Sequence, residues 1–189
     1  AIMARIAQSA VAITSAKGAV MELIEGDQMR YAHGAGSLEG TEGLRLSIAT
    51  SLSGLAVTQN QALRCNDAFA DPRVDHEVAR RIGARSMVIV PLTVDGITLA
   101  VLKTISDDVE AFSDHDVEAV TAMASFAARV LKQAQSLHER RLEQETYRLI
   151  SQTSTDAILQ VGLDGCIRWA SPAAQEILGY PPRALVGMA

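Results

Sequence analysis

Apolar residues at Ile2, Met3, Ile6, Ala10 and Ile13 recur on one face at helical spacing, predicting a first amphipathic helix that ends near Lys17-Gly18. The period then shortens. Residues 19–25 and 28–34 read as strands flanking Gly26-Asp27, a hairpin turn signal, with Met29, Tyr31 and His33 on one strand face. Residues 34–45, rich in Gly, Ser, Thr and Glu, read as a loop leading to a short helix over 53–59. A short strand over 62–66, a loop over 67–75 and part of a helix over 78–82 follow. The clearest element is a second hairpin. Residues 87–92 and 97–102 are continuous apolar runs, and Asp95-Gly96 between them favours the type I′ turn that matches strand twist. Such runs suit central strands covered on both faces.

From Phe112 the pattern becomes that of one long helix. Ser113 and Asp116 have the spacing of an N-cap and its reciprocal acid, and Asp114, Asp116 and Glu118 complement the positive end of the helix dipole. Val120, Ala124, Ala127, Leu131 and Ala134 form a seam with alternating steps of four and three residues, a coiled-coil register. The next steps, to His138 and Leu142, are both of four. That is a stutter, which locally unwinds a supercoil before the seam resumes near Leu149 on the way to Ile150. The first half of the seam serves a core within its own domain. Leu131 and Ala134 are expected where the helix leaves that domain, so the seam from there on predicts a homodimer through the long helix. Downstream, residues 157–161 and 166–170 regain strand character around Leu163-Asp164-Gly165. Ser171-Pro172 predicts an N-cap with Pro at N1, opening a helix that Gly179 closes.

A chain of 189 residues, 48% of them hydrophobic, can bury a substantial core, and one globular domain plus part of another fits best. The formal net charge of −5 opposes a phosphate-tracking surface, so nucleic acid is not an expected partner. The longest apolar stretches, 87–94 and 97–102, fall far short of the roughly 20 residues of a membrane helix, so no membrane association is expected of this segment. Cys65 and Cys166 lie in different expected domains, which predicts free thiols in a reducing, cytoplasmic setting. The first residues lack the pattern of a secretory signal. The chain opens inside an expected helix and stops inside an expected domain, so it reads as a piece of something longer.

The order of helix, hairpin, loop, short helix, Asn66-Asp67 loop, Arg85-Ser86 strand with Val90-Pro91-Leu92, and Phe112 leading to Asp116 at the head of a long helix resembles a GAF domain over about residues 1–134. Over 147–189, Ser154-Thr155-Asp156, Asp164-Gly165, Ser171-Pro172-Ala173 and Leu178-Gly179-Tyr180 resemble the opening of a PAS domain, less than half of which is present. The resemblance implies an α/β fold: a GAF-type antiparallel sheet with helices on its faces, a long C-terminal coiled-coil helix, and a partial PAS fragment. It divides the chain into a GAF sensor domain at 1–134, a signalling helix linker at 135–152 and a PAS fragment at 153–189. The function it implies is that of a sensory and regulatory module in a bacterial signal-transduction protein. A small molecule would bind in the GAF pocket, and a dimeric helix would relay its state to the PAS domain and an output domain. That output is commonly a histidine kinase or a diguanylate cyclase, and no catalysis is expected of this segment. Two alternatives stay open: a dimerisation scaffold whose pocket is filled by its own side chains, and a GAF-type methionine sulfoxide reductase.

The residues bear unequally on the ligands such domains take. Cyclic-nucleotide-binding relatives carry an Asn-Lys pair before Phe-x-x-x-Asp-Glu, whereas Ser106-Asp107-Asp108 and Val117 stand at those places here. Bilin-bearing relatives have a Cys commonly followed by His, and Asn66 follows Cys65. Reductase members need a second thiol to resolve the attacked product. Ser53-Gly54 occupies the stretch where a Cys-Gly is expected, and Cys65 is alone in its domain. The cofactor and the ligand are therefore left unknown. By the same resemblance the 66–73 loop borders the pocket, which makes Asp67 and Phe69 candidate ligand-binding residues beside Tyr31, Arg81 and Ser86. Asp67 and Phe69 have an equally physical alternative, in which the Asp makes the turn and the Phe plugs the edge of the core. No catalytic residues are proposed, and His33, His76 and His115 lack the spacing of metal ligands. His138-Glu139 resembles a phosphoacceptor helix of a histidine kinase but lacks the Pro a few residues on, and is read as a solvated or seam position.

Overall fold

The first elements follow the apolar pattern closely, because each strand that alternates or runs apolar has a helix to cover it. The computed structural model describes residues 2–153 and 156–188. The chain divides into two units, 1–134 and 135–189. Ser154 and Thr155, two of the residues that carry the PAS resemblance, lie outside the described residues.

In the first unit α1 (Ile2–Ile13) precedes the hairpin β1 (Gly18–Glu25) and β2 (Gln28–Gly36). Then come β3 (Arg45–Ser47), α2 (Leu52–Gln59), β4 (Leu63–Cys65) and α3 (His76–Ile82). The hairpin β5 (Ser86–Val94) and β6 (Ile97–Ser106) leads to α4 (Asp114–Thr153). Every strand pair is antiparallel, in the order β3-β2-β1-β6-β5-β4, so β1 and β6 sit at the centre. On one face Met21, Val88, Val90 and Leu102 pack with Ala7 and Ala10 of α1 and with Val120, Ala124, Ala127 and Leu131 of α4. On the other, Val20, Met29, Ile89, Val101 and Ile105 pack with Leu52 and Ala56 of α2 and Ala79 of α3. Burial on both faces is why the central strands read as unbroken apolar runs.

Local chemistry fixes the turns. Asp95 and Gly96 both take positive φ, 51° and 78°, as a type I′ turn requires. At the start of α4 the Ser113 hydroxyl accepts the Asp116 N–H at 3.3 Å, while Asp116 Oδ2 accepts the Ser113 N–H at 2.9 Å. The other oxygen of Asp116 accepts the Ser15 N–H at 3.1 Å, which ties the segment after α1 to the head of α4.

Four features depart from the sequence reading. The 34–45 loop is followed by β3, an edge strand templated by β2 rather than by any period of its own. A β-bulge in β2 pairs Met21 with His33 but Glu22 with Tyr31, leaving Ala32 unpaired, so His33 and Tyr31 do not share a face. Leu131 is 7% exposed and belongs to the core of its own unit, so the seam serves that core one step further than periodicity suggested. Finally, Ser171 does not cap a helix: α5 (Ala173–Leu178) has no side-chain cap, and Ser171 Oγ accepts the Ile158 N–H at 3.0 Å. Gly179 does close α5 with a φ of 75°. Besides the last part of α4 and α5, the second unit holds the hairpin β7 (Leu159–Val161) and β8 (Ile167–Ala170) and α6 (Pro182–Leu185), with a small core of Ala170, Ala174 and Leu185.

Candidate functional site

Three polar side chains meet in the middle of the sheet, on the face covered by α2 and α3. The bulge in β2 sets Tyr31 directly opposite Glu22 of β1, and Val101 pairs with Glu22 on the other side. Lys103, two residues on from Val101 in β6, therefore lies on the same face and diagonal to Glu22. Its ammonium is 2.5 Å from Glu22 Oε1 and donates to the Tyr31 hydroxyl at 3.2 Å, 5.1 Å from the centre of the Tyr31 ring. Glu22 and Tyr31 are fully buried, and Lys103 is 4% exposed. Burial works against the charge on Lys103, but Glu22 and Tyr31 more than offset it and hold the ammonium above the usual lysine range. Burial likewise pushes the Tyr31 phenol up, so it stays protonated.

This group is not fully satisfied. The Lys103 ammonium engages Glu22 Oε1, and among the described residues the other carboxylate oxygen, Oε2, has no hydrogen-bond partner. The buried Ser53 hydroxyl at the start of α2 is in the same condition. Native proteins leave few buried polar atoms so placed. Lys103 also lines a cavity of about 20 Å³ with Leu46, Leu52, Val78, Ile82 and Met87. Ser51 and Asp75, the N-cap residues of α2 and α3, complete its wall. A void of that size holds about one water.

Of the five candidate residues named from the sequence, Tyr31 alone joins this cluster. Asp67 and Phe69 come together elsewhere. Asp67 accepts the Phe69 N–H at 3.0 Å and pairs with Arg85 at 3.2 Å, contacts that hold its carboxyl below the usual range. The Phe69 ring is partly exposed between the guanidinium groups of Arg80 and Arg85, 5.5 and 4.9 Å from its centre, so it neither lines the cavity nor plugs the core. Arg81 borders an open groove with Thr41, Glu42 and Arg45. Ser86 is buried as a fastener: its hydroxyl donates to the Asp108 carbonyl at 2.7 Å and accepts the Ala111 N–H at 3.4 Å. Glu22 and Lys103 are not among the residues the sequence pattern singles out. Each is a lone charge inside an apolar strand, of opposite sign to the other, and that pairing was the available signal.

Cys65 is a poor nucleophile. Burial, with the Asp71 carboxylate beside it, pushes its thiol up to about 12, while Asp71 itself is held down to about 2, chiefly by its hydrogen bond from Arg73. An acid raised on folding favours the folded state at low pH. The contribution is complete below the unfolded thiol's value, about 8.5, and is lost as the pH rises from there through the folded value of about 12. At pH 8, iodoacetamide is expected to label the partly exposed Cys166 and to reach Cys65 only after unfolding. Equal labelling of the two thiols in the native chain would overturn this account of Cys65.

Among the described residues no three His, Cys, Asp or Glu side chains group as metal ligands would, and no helix is long and apolar enough to cross a membrane. The family model for the GAF domain matches residues 1–132. That for the PAS fold matches residues 145–189. No curated protein matches the chain. Similar solved structures include the second GAF domain of DevS from Mycobacterium smegmatis, 18% identical with a TM-score of 0.62, covering 75% of this chain and 96% of that one. The type II free methionine-R-sulfoxide reductase from Thermoplasma acidophilum is 20% identical with a TM-score of 0.60, covering 69% and 90%. The blue-light absorbing form of the PixJ GAF domain from Thermosynechococcus elongatus is 12% identical with a TM-score of 0.63, covering 77% and 91%. At these identities the likeness establishes the fold alone.

Proposed function

The chain belongs to the GAF domain family, and we propose that it is the sensory part of a bacterial signalling protein that binds a small molecule over Glu22, Tyr31 and Lys103. Its GAF and PAS domains make it a signalling sensor module; the ligand, the relay and the output are what the proposal adds. The observation that carries it is the buried, incompletely bonded polar group beside a cavity under α2 and α3. Stability alone does not account for such a group, since apolar replacements are commonly as stable.

The relay follows the chain. Lys103 sits on β6, which runs through the 107–113 segment, fastened by Ser86, into the head of α4, fastened by Asp116. A ligand that prefers one arrangement of β6 and its cover would bias α4 between two states, and the stutter at His138 and Leu142 offers the place to switch. The natural assembly is a homodimer through the helices, with the PAS domain passing the state to a histidine kinase or diguanylate cyclase output.

A second reading has an observation in its favour: fully buried Met29, Tyr31 and Leu38 and a cavity of only about 20 Å³ suit a scaffold filled by its own side chains. The reductase reading has none, because the thiol of Cys65 is buried and held protonated. Heat extraction of the purified chain followed by mass spectrometry separates sensor from scaffold. Wild type is expected to release a small molecule in near-stoichiometric amount. Tyr31→Phe, which removes one hydrogen-bonding hydroxyl at a cost of about 1 kcal/mol, should fold and release much less. Wild type that is folded but empty, and stays empty after exposure to cell extract, would leave the scaffold standing.

A further inference from the structure

The bonding capacity left over in the buried cluster specifies a kind of ligand. Glu22 keeps one carboxylate oxygen, Oε2, without a partner, since Oε1 faces the Lys103 ammonium at 2.5 Å. Lys103 has three protons, one facing Glu22 and one given to Tyr31, which leaves one. The Tyr31 hydroxyl accepts from Lys103 and keeps its own proton for another acceptor. The cluster thus offers an unused acceptor and unused donors side by side, with one positive and one negative charge already inside the fold. An added anion would meet Glu22, and an added cation would meet Lys103, as a like charge in surroundings of low dielectric. A neutral group with an N–H next to a C=O meets neither and fills both vacancies.

We infer that the site takes a small neutral molecule with an amide, lactam or ureide edge, its N–H donated to Glu22 and its carbonyl accepting from Lys103 or Tyr31. This rests on the ligand-binding reading of the same cluster. The rest of the molecule is apolar and compact, because Leu46, Leu52, Val78, Ile82 and Met87 form the wall next to Lys103. With about 20 Å³ present, binding must displace part of the cover, and α3 is the lighter part. It is seven residues long, ends in the left-handed Gly83, and leaves Val78 and Ile82 only partly buried. Its displacement opens that wall without breaking the central β1–β6 pairing.

The test is a titration of the whole ¹⁵N-labelled chain with three probes of one size and shape: benzamide, benzoate and benzamidinium. Benzamide is expected to shift the backbone amides of Glu22, Tyr31, Lys103 and α3, binding about tenfold more tightly than either ion. Glu22→Gln removes the negative charge and should reverse the order, benzoate overtaking benzamide. Tyr31→Phe, with a well-dispersed amide spectrum as its control for folding, should weaken benzamide without favouring either ion. Tighter binding of either ion to wild type at these amides would overturn the amide class and leave ligand binding intact. Silence from all three probes would also overturn it. A molecule released on heat extraction would then still support a ligand-binding site, whereas an empty chain would remove both readings.

Discussion

Lys103→Met is expected to destabilise the first unit by about 3–5 kcal/mol, the largest loss of any single substitution at the site, because it strands the Glu22 carboxylate in a core with no counter-charge. The size follows from what is left behind rather than from the bond removed. An ion pair at 2.5 Å with both partners out of water has already met its desolvation cost, and deleting one partner returns the attraction while keeping the cost. The double change Glu22→Leu and Lys103→Met removes both charges and keeps the volume, so it should recover wild-type stability to within about 1–2 kcal/mol, or exceed it. Urea unfolding of the four proteins in the cycle measures the coupling. A Lys103→Met protein as stable as wild type would mean that the pair is not a closed, dry contact. A recovered double mutant that no longer takes up a ligand would separate function from stability, as expected of charges kept for recognition.

That pair also marks where the sequence stopped being informative. The β5–β6 hairpin was legible because its turn chemistry is local: Asp95 and Gly96 accept positive φ, and the runs beside them are apolar. The start of α4 was legible for the same reason, since Ser113 and Asp116 need only each other and three residues of helix. Lys103 was hidden by the rule that revealed its strand. The apolar run ends at Leu102, so a lysine next in line reads as the edge of the strand, whereas β6 continues to Ser106. What keeps Lys103 inside is Glu22, eighty-one residues away in sequence, and Tyr31, turned onto the same face by a bulge that no residue type announces. β3 escaped notice likewise, as three residues with one inward apolar side chain, Leu46, held by pairing to β2. Of the five candidate residues, Asp67 and Phe69 were placed by resemblance to a pocket-bordering loop, and Tyr31, Arg81 and Ser86 as polar side chains that could serve a pocket, which located neighbourhoods. Of these, Asp67, Phe69 and Ser86 turned out to spend their bonding on the fold itself, in a turn, an arginine stack and a fastener.

The seam of α4 carries the other large effect, with a changed address. Periodicity placed the start of a dimer contact at Leu131, but that side chain is buried in its own unit, so Leu131→Asp should unfold the domain rather than divide a dimer. Another stretch of α4 does leave apolar surface exposed. Phe126 is 72% exposed at an open groove lined by Ile2, Ile6, Met123, Ala127 and Val130 of α1 and α4. A two-fold axis there would place each Phe126 against the partner's groove, so one substitution acts twice. Burying a Phe contributes about 1.5–3 kcal/mol, so Phe126→Asp removes about 3–6 kcal/mol from association, or roughly a hundredfold to ten-thousandfold in the dimer's Kd. In the monomer the residue is already in water, and its replacement should leave the stability of the isolated domain nearly unchanged. Sedimentation at tens of micromolar, paired with thermal melting at the same concentration, reads both quantities. The expected result is a dimeric wild type, a folded Phe126→Asp monomer and a poorly folded Leu131→Asp. A monomeric wild type, or a Phe126→Asp chain that still sediments as a dimer, would reject this groove as the contact. In the second case the exposed Leu137 and Leu142 would be the next positions to charge, because they are the first large apolar residues of α4 to follow the core.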